Sequence, residues 1–166
     1  MKKPFQVLIV ILFIFSIQFL NSCGAGKEDM RASFTEENSA IPPEFGKEKT
    51  ILMCVIKDDF YYDKHVKSAV KNNYKGEYVF VNLQDTYSDK YSDKKVYRYI
   101  FDYNEGSRHT VANAHNPRST TYTRKVYYIQ DRLNNKFYKS GAEFPSYAKA
   151  MDAYMQNLEL KRISNK

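Results

Sequence analysis

Apolar and polar positions alternate on three different periods along this chain, and each period predicts a different element. Residues 50–56 (TILMCVI) are an unbroken apolar run of strand length, which predicts a strand buried on both faces. Tyr62, Val66, Ala69, Val70 and Tyr74 then recur at helical spacing, with Lys64, Lys67 and Lys71 on the opposite side. Asp58 or Asp59 supplies a cap at the start of this helix, Lys75 complements the dipole at its end and Gly76 stops it. Residues 78–83 (YVFVNL) predict a second buried strand. Strand, helix and strand make a βαβ unit with a right-handed crossover.

Beyond it, Tyr87-Ser88-Asp89-Lys90 and Tyr91-Ser92-Asp93-Lys94 form a tandem repeat, too short for a solenoid and read as an exposed loop or a short helical turn. Residues 96–103 alternate strictly. Tyr97, Tyr99, Phe101 and Tyr103 fall on one face, and Val96, Arg98, Ile100 and Asp102 on the other. A turn is expected at residues 104–107 (NEGS), a ragged returning strand at 109–114, and a break at 116–119 (NPRS). Residues 125–130 (KVYYIQ) and 136–139 (KFYK) flank Asn134-Asn135 as a hairpin. Pro145 and Ser146 open a last helix, whose Tyr147, Met151, Tyr154, Met155 and Leu158 face a sheet.

The element order resembles a thioredoxin-like domain over most of residues 50–160. A buried strand and capped helix lead to a second strand, and a hairpin ("KVYYIQDRLNNKFYKSG") and helix ("PSYAKAMDAYMQNL") close the chain. The resemblance implies an α/β fold, a central sheet flanked by helices; in place of the family's middle helix, residues 85–120 read as loop plus an inserted β-hairpin. The family's redox Cys pair is missing, since the helix opens on Asp58-Asp59-Phe60-Tyr61-Tyr62, and Thr123-Arg124 stands where the family places a cis-proline. The alternative is an α+β domain, with two helices on one face of a mostly antiparallel sheet.

The amino-terminal end has another character. Met1-Lys2-Lys3 is cationic, and residues 7–15 (VLIVILFIF) are continuously apolar. That length is short for a bilayer span, which takes about 18–20 residues, and suits the core of a secretory signal. Leu20-Asn21-Ser22-Cys23 follows, and resembles the lipobox of bacterial lipoproteins. The resemblance implies diacylglycerol on the Cys23 sulfur, cleavage between Ser22 and Cys23, and acylation of the new amino terminus. It also implies a lipid-anchored protein at the outer membrane of a Gram-negative bacterium, facing the periplasm or the cell surface. Lys27-Glu28-Asp29 is similar to the Lys-acidic-acidic export tag of surface lipoproteins, or is simply part of a charged tether. The expected organisation is a signal peptide at 1–22, a lipidated flexible tether at 23–48 whose stiffest part, residues 41–45 (IPPEF), docks on the domain edge, one globular domain at 49–162 and a tail at 163–166.

Charge narrows the function classes. The chain holds 26 Lys and Arg against 19 Asp and Glu, and two of those lysines belong to the leader. The basic residues are interleaved with acids rather than gathered in a stripe, so no nucleic-acid partner is expected. Fifteen Tyr and eleven Phe without a single Trp mark a sheet-rich, aromatic core.

Candidate chemistry is sparse. With Cys23 lipidated, Cys54 is the only remaining thiol; it lies in an apolar strand and reads as a small core hydrophobe. His65, His109 and His115 lack the further ligands a zinc site needs, so neither metal nor cofactor is called for. Asp58-Asp59 serves capping more economically than acid–base work. The row Tyr97, Tyr99, Phe101 and Tyr103 is the candidate binding surface if exposed, for peptide or sugar, and core if covered. The expected function is a non-enzymatic domain that binds a protein or glycan partner in the envelope. A redox-inactive thioredoxin-like enzyme and a structural envelope component are the alternatives.

Overall fold

The computed structural model describes residues 30–113 and 116–165. Its centre is a five-stranded mixed sheet in the order β2-β1-β3-β4-β5. The strands are β1 (Ile51–Ile56), β2 (Glu77–Asn82), β3 (Tyr99–Asn113), β4 (Asn116–Asp131) and β5 (Lys136–Lys139). β1 pairs in parallel with both β2 and β3, while β3/β4 and β4/β5 are antiparallel. The α/β class follows from the βαβ opening, and the sheet is evenly mixed rather than mostly antiparallel.

Leu52, Met53, Cys54 and Val55 are all buried because β1 is an interior strand with a layer on each face. Helices α1 (Phe60–Asn73) and α2 (Tyr147–Ser164) lie together on one face. Tyr62, Val66, Ala69 and Val70 of α1, and Met151, Tyr154, Met155 and Leu158 of α2, pack with Leu52, Cys54, Phe101 and Ile129. The two helices run side by side, joined by Asn73 Nδ2 donating to Asp152 (2.9 Å) and Gln156 donating back to Asn73 (3.2 Å). Helices therefore flank one face of the sheet, not both. Two 3-10 turns, at Gln84–Tyr87 and Asp89–Tyr91, cover the other. The tandem repeat thus forms short helical turns, and its copies differ in role: Tyr91 is buried against Met53, Val55 and Ile100, whereas Tyr87 is exposed.

Arg132 fastens this second layer, donating from Nη1 to the carbonyls of Tyr91 (2.7 Å) and Tyr97 (2.9 Å). Beside it, Arg98 and Asp131 form a buried two-pronged ion pair, Nε to Oδ1 at 3.1 Å and an Nη to Oδ2 at 2.8 Å. Glu44 also bonds to Arg98.

The structure corrects the expected tether. From Met30 onward the chain belongs to the domain. Phe34, Ala40, Ile41 and Phe45 are buried. Phe34 meets the rings of Tyr154 (4.5 Å) and Phe144 (4.7 Å). Asn157 of α2 donates to the carbonyls of Arg31 (2.7 Å) and Phe34 (2.8 Å), and Asn165 to those of Pro43 (3.1 Å) and Phe45 (2.8 Å). Gly46 has φ +90° where the loop crosses the end of α2, and a Cβ there would meet the Arg162 backbone at 2.5 Å. The expected tail also shortens, since α2 runs to Ser164.

The expected turn at 104–107 and break at 116–119 are likewise overturned. β3 continues to Asn113, and β4 begins at Asn116. Beyond Glu105↔Lys125 the ladder slips at a bulge and resumes at Arg108↔Thr123, ending on Asn113↔Asn116. Gly106 lies at this bulge, where a Cβ would meet the Glu143 carboxylate at 2.7 Å. The result is a two-stranded arm reaching past the sheet.

Candidate partner-binding site

Cys23, Ser22, Lys27, Glu28 and Asp29 lie outside the described residues, as does His115. The aromatic row is placed in the interior, which corrects its reading as a binding surface. Tyr99 and Phe101 are fully buried in the helix-side core, and Tyr103 is half-buried against it. Tyr97 precedes β3 and packs on Tyr91, 5.0 Å between rings, in the opposite layer. The row stands on an interior strand, so the face that alternation marks is the face α2 covers.

Cys54 is fully buried between β2 and β3, and burial pushes its thiol well above the ordinary range. A thiol reagent should leave native Cys54 untouched for hours and label it once denaturant is added. Cys54→Ala should cost about 1 kcal/mol, as a small core truncation does; rapid labelling of the native protein would show a functional thiol instead.

Ser107, His109 and Glu143 meet near the bulge. The Ser107 hydroxyl lies 2.8 Å from His109 Nε2 and donates to the Glu143 carboxylate, which also accepts from Ser107 N. These bonds hold Glu143 below its ordinary carboxylate value. The order is wrong for nucleophilic catalysis. A base histidine must take the serine proton while a carboxylate orients the histidine. Here serine sits in the middle and spends its proton on the carboxylate. The cluster ties the arm to the loop before α2. Among the described residues no three His, Cys, Asp or Glu side chains gather in a way that would hold a metal.

The amino ends of β1 and β2 border a cleft of about 370 Å3, lined by Lys47, Lys49, Tyr74, Glu77 and Arg162 among others. Two of its charged groups are paired, Lys49 with Glu77 at 2.8 Å and Arg162 with Glu159.

At the opposite end, where β1 runs out beside β3, the chain exposes what it hides elsewhere. Lys57, just past the end of β1, lies next to Tyr103. Its Nζ lies 2.8 Å from the buried Asp102 carboxylate, 3.3 Å from the Tyr103 carbonyl and 4.0 Å from the Tyr103 ring centre. Tyr128 donates to the second Asp102 oxygen (3.1 Å). Lys125 stands 4.9 Å from the same Tyr103 ring and 3.1 Å from Glu105. This paired framework fixes the mouth of the β1–α1 connection. Asp58 there has φ 56°, a left-handed conformation that Asp tolerates better than most residues. Asp59 caps α1, accepting from the N–H groups of Tyr61 (2.9 Å) and Tyr62 (3.0 Å).

Tyr62 turns into the core, but Phe60 and Tyr61 remain 75% and 70% exposed, their rings 5.6 Å apart and at 81° to one another. Covering either ring would gain about 1.5–3 kcal/mol of hydrophobic free energy. Adjacent exposed aromatics on a rigid, capped helix are the usual anchors of a protein interface. No family model matches this chain, and neither the curated proteins nor the solved structures contain a match.

The Phe60–Tyr61 pair is not marked by the apolar pattern, which follows the buried helical face. The signal was present: both rings fall off the stripe of Tyr62, Val66, Ala69 and Val70, so they had no core to enter.

Proposed function

We propose that this chain is a lipid-anchored outer-membrane protein whose small, non-enzymatic domain docks a protein partner through Phe60 and Tyr61. The observation that carries the docking surface is the exposure of these two neighbouring rings at the carboxyl end of β1. Their perpendicular packing favours a protein over a glycan, because a sugar ring stacks on a flat platform and this pair presents an edge beside a face. The anchor rests on Leu20-Asn21-Ser22-Cys23 and the apolar run before it. The thioredoxin-like reading of the scaffold rests on the βαβ opening and the hairpin–helix ending, with the long β3–β4 arm in place of a middle helix.

The test combines both halves. Labelled fatty acid should enter the protein, and Cys23→Ala should abolish labelling and block cleavage. A photo-crosslinking residue in place of Tyr61 should yield one discrete protein adduct in intact cells, while the same residue at exposed Lys136 yields none. Phe60→Ala should remove the adduct and change stability by less than about 0.5 kcal/mol, since the ring supports nothing in the fold. No adduct at position 61, or equal adducts at both positions, would refute the docking surface.

A further inference from the structure

The corrected start of the domain shortens the tether, and that constrains how the domain meets the membrane. If Cys23 carries the lipid, only residues 24–29 separate it from Met30. At about 3.3–3.6 Å per step, the seven steps from Cys23 to Met30 reach at most about 25 Å. A domain of this size has a radius of gyration of about 14 Å and is therefore wider than its tether is long. It is held with the edge that carries Met30 close to the bilayer.

That edge adjoins the helical layer. Residues 31–34 lie along α2 at Asn157, and α1 lies on the other flank of α2. The outer surface of this layer has a distinctive make-up. Lys64, Lys67 and Lys71 recur down the side of α1 that faces away from the sheet, and Lys75 follows its carboxyl end. Among the described residues, none of these four forms an ion pair, and Lys149 on α2 forms none either. Residues 60–75 and 147–164 together hold seven Lys or Arg against three Asp or Glu. The last turns of α2 add Leu160 and Ile163, 54% and 55% exposed. The opposite layer differs. Residues 83–97 carry three lysines and three aspartates, so it has no charge bias. Basic side chains around exposed aliphatic ones are the make-up of a surface that settles at a lipid interface.

From the tether length and this asymmetry, we infer that the outer face of α1 and α2 lies against a lipid surface with anionic headgroups, Leu160 and Ile163 entering the interface. This rests on lipidation of Cys23. It leaves Phe60 and Tyr61, at the end of the helical layer, at the rim of the contact and open to a partner.

The experiment uses the acylated full-length protein in vesicles of phosphatidylglycerol or phosphatidylcholine that carry a lipid-borne quencher. A fluorophore is placed on Leu160→Cys, Ile163→Cys or, on the opposite layer, Asp89→Cys; buried Cys54 does not compete for the label. Labels at 160 and 163 should be quenched severalfold more than the label at 89, and more strongly in phosphatidylglycerol. Changing Lys64, Lys67 and Lys71 together to Glu should reduce quenching at 163 while the protein stays on the vesicles. Equal quenching at all three positions in vesicle-bound protein would overturn the orientation and leave the anchor standing. Protein that carries no lipid and remains in solution would remove the anchor, and this inference with it. A photo-crosslinker at 163 that joins a protein rather than lipid in cells would also overturn it.

Discussion

Replacing Asp131 with alanine is expected to cost about 3–5 kcal/mol, a large part of the stability of a domain this size. The carboxylate is 1% exposed and its partner Arg98 is 4% exposed. Removing one member of a buried pair leaves the other charge with too few partners, and the penalty is that of the stranded ion. Glu44 still reaches Arg98, but from a half-exposed position. Asp131 also organises the β4–β5 turn, accepting from Leu133 N (3.0 Å), Asn134 N (3.3 Å) and Asn134 Nδ2 (2.9 Å). A native stability of about 5–15 kcal/mol does not absorb such a loss easily.

The same residue gives a pH dependence. Burial alone would raise the Asp131 pKa, but the bonds from Arg98 and the turn N–H groups outweigh it and hold the value below the ordinary 3.8. A group lowered in the folded state stabilises fully above its unfolded value, and that stabilisation is lost as pH falls through the folded value. Urea titrations should show wild type losing stability below about pH 4. Asp131→Asn should be weaker at pH 7 and less sensitive in the acid range. An alanine variant as stable as wild type at pH 7 would show the pair to be dispensable.

Phe34→Ala should be nearly as damaging, at about 3–5 kcal/mol. The ring is fully buried among Phe144, Tyr154 and Tyr127, and an alanine there leaves a cavity that the β-sheet and α2 cannot close. A residue in a flexible spacer would change stability by less than about 0.5 kcal/mol on truncation. Chemical denaturation of the single variant therefore decides whether residues 30–48 belong to the domain. A loss within that smaller bound would return them to the tether.

The regular half of this fold was legible because its elements are periodic. β1, α1, the β4–β5 hairpin and the buried side of α2 fall where apolar spacing puts them, and Asp59 caps α1; β2 falls there too, but as an edge strand in which only Val81 is buried rather than the buried strand expected. Phe34 and Ala40 were not legible as core, and for Ile41 and Phe45 only a docking on the domain edge was. They sit in an irregular segment, where burial has no period and Gly, Pro and Ser look like spacer. The arm was hidden for a related reason. Its strands emerge from the core, so polar residues occupy both faces and alternation stops, while Gly106 marks a bulge that reads as a turn. Arg98 and Asp102 looked like outward positions of an alternating strand. They are buried because the 3-10 layer covers the second face, and nothing in β3 itself announces that layer. The same omission hid the site. The aromatic row drew attention because it alternates, yet alternation on an interior strand marks core; Phe60 and Tyr61 fit no pattern and are the rings left in solvent.

The clasp between the two ends of the domain also sets an order of events. Arg31 and Phe34 bond to Asn157, and Phe45 to Asn165, across 120 or more residues of intervening sequence. A chain made from its amino end holds Phe34 and Ile41 without a binding surface until α2 is complete, and such distant closures are slow. A nascent chain that lacks residues 147–164 is thus kept from its native state. Completion of the domain becomes a late step that waits on α2.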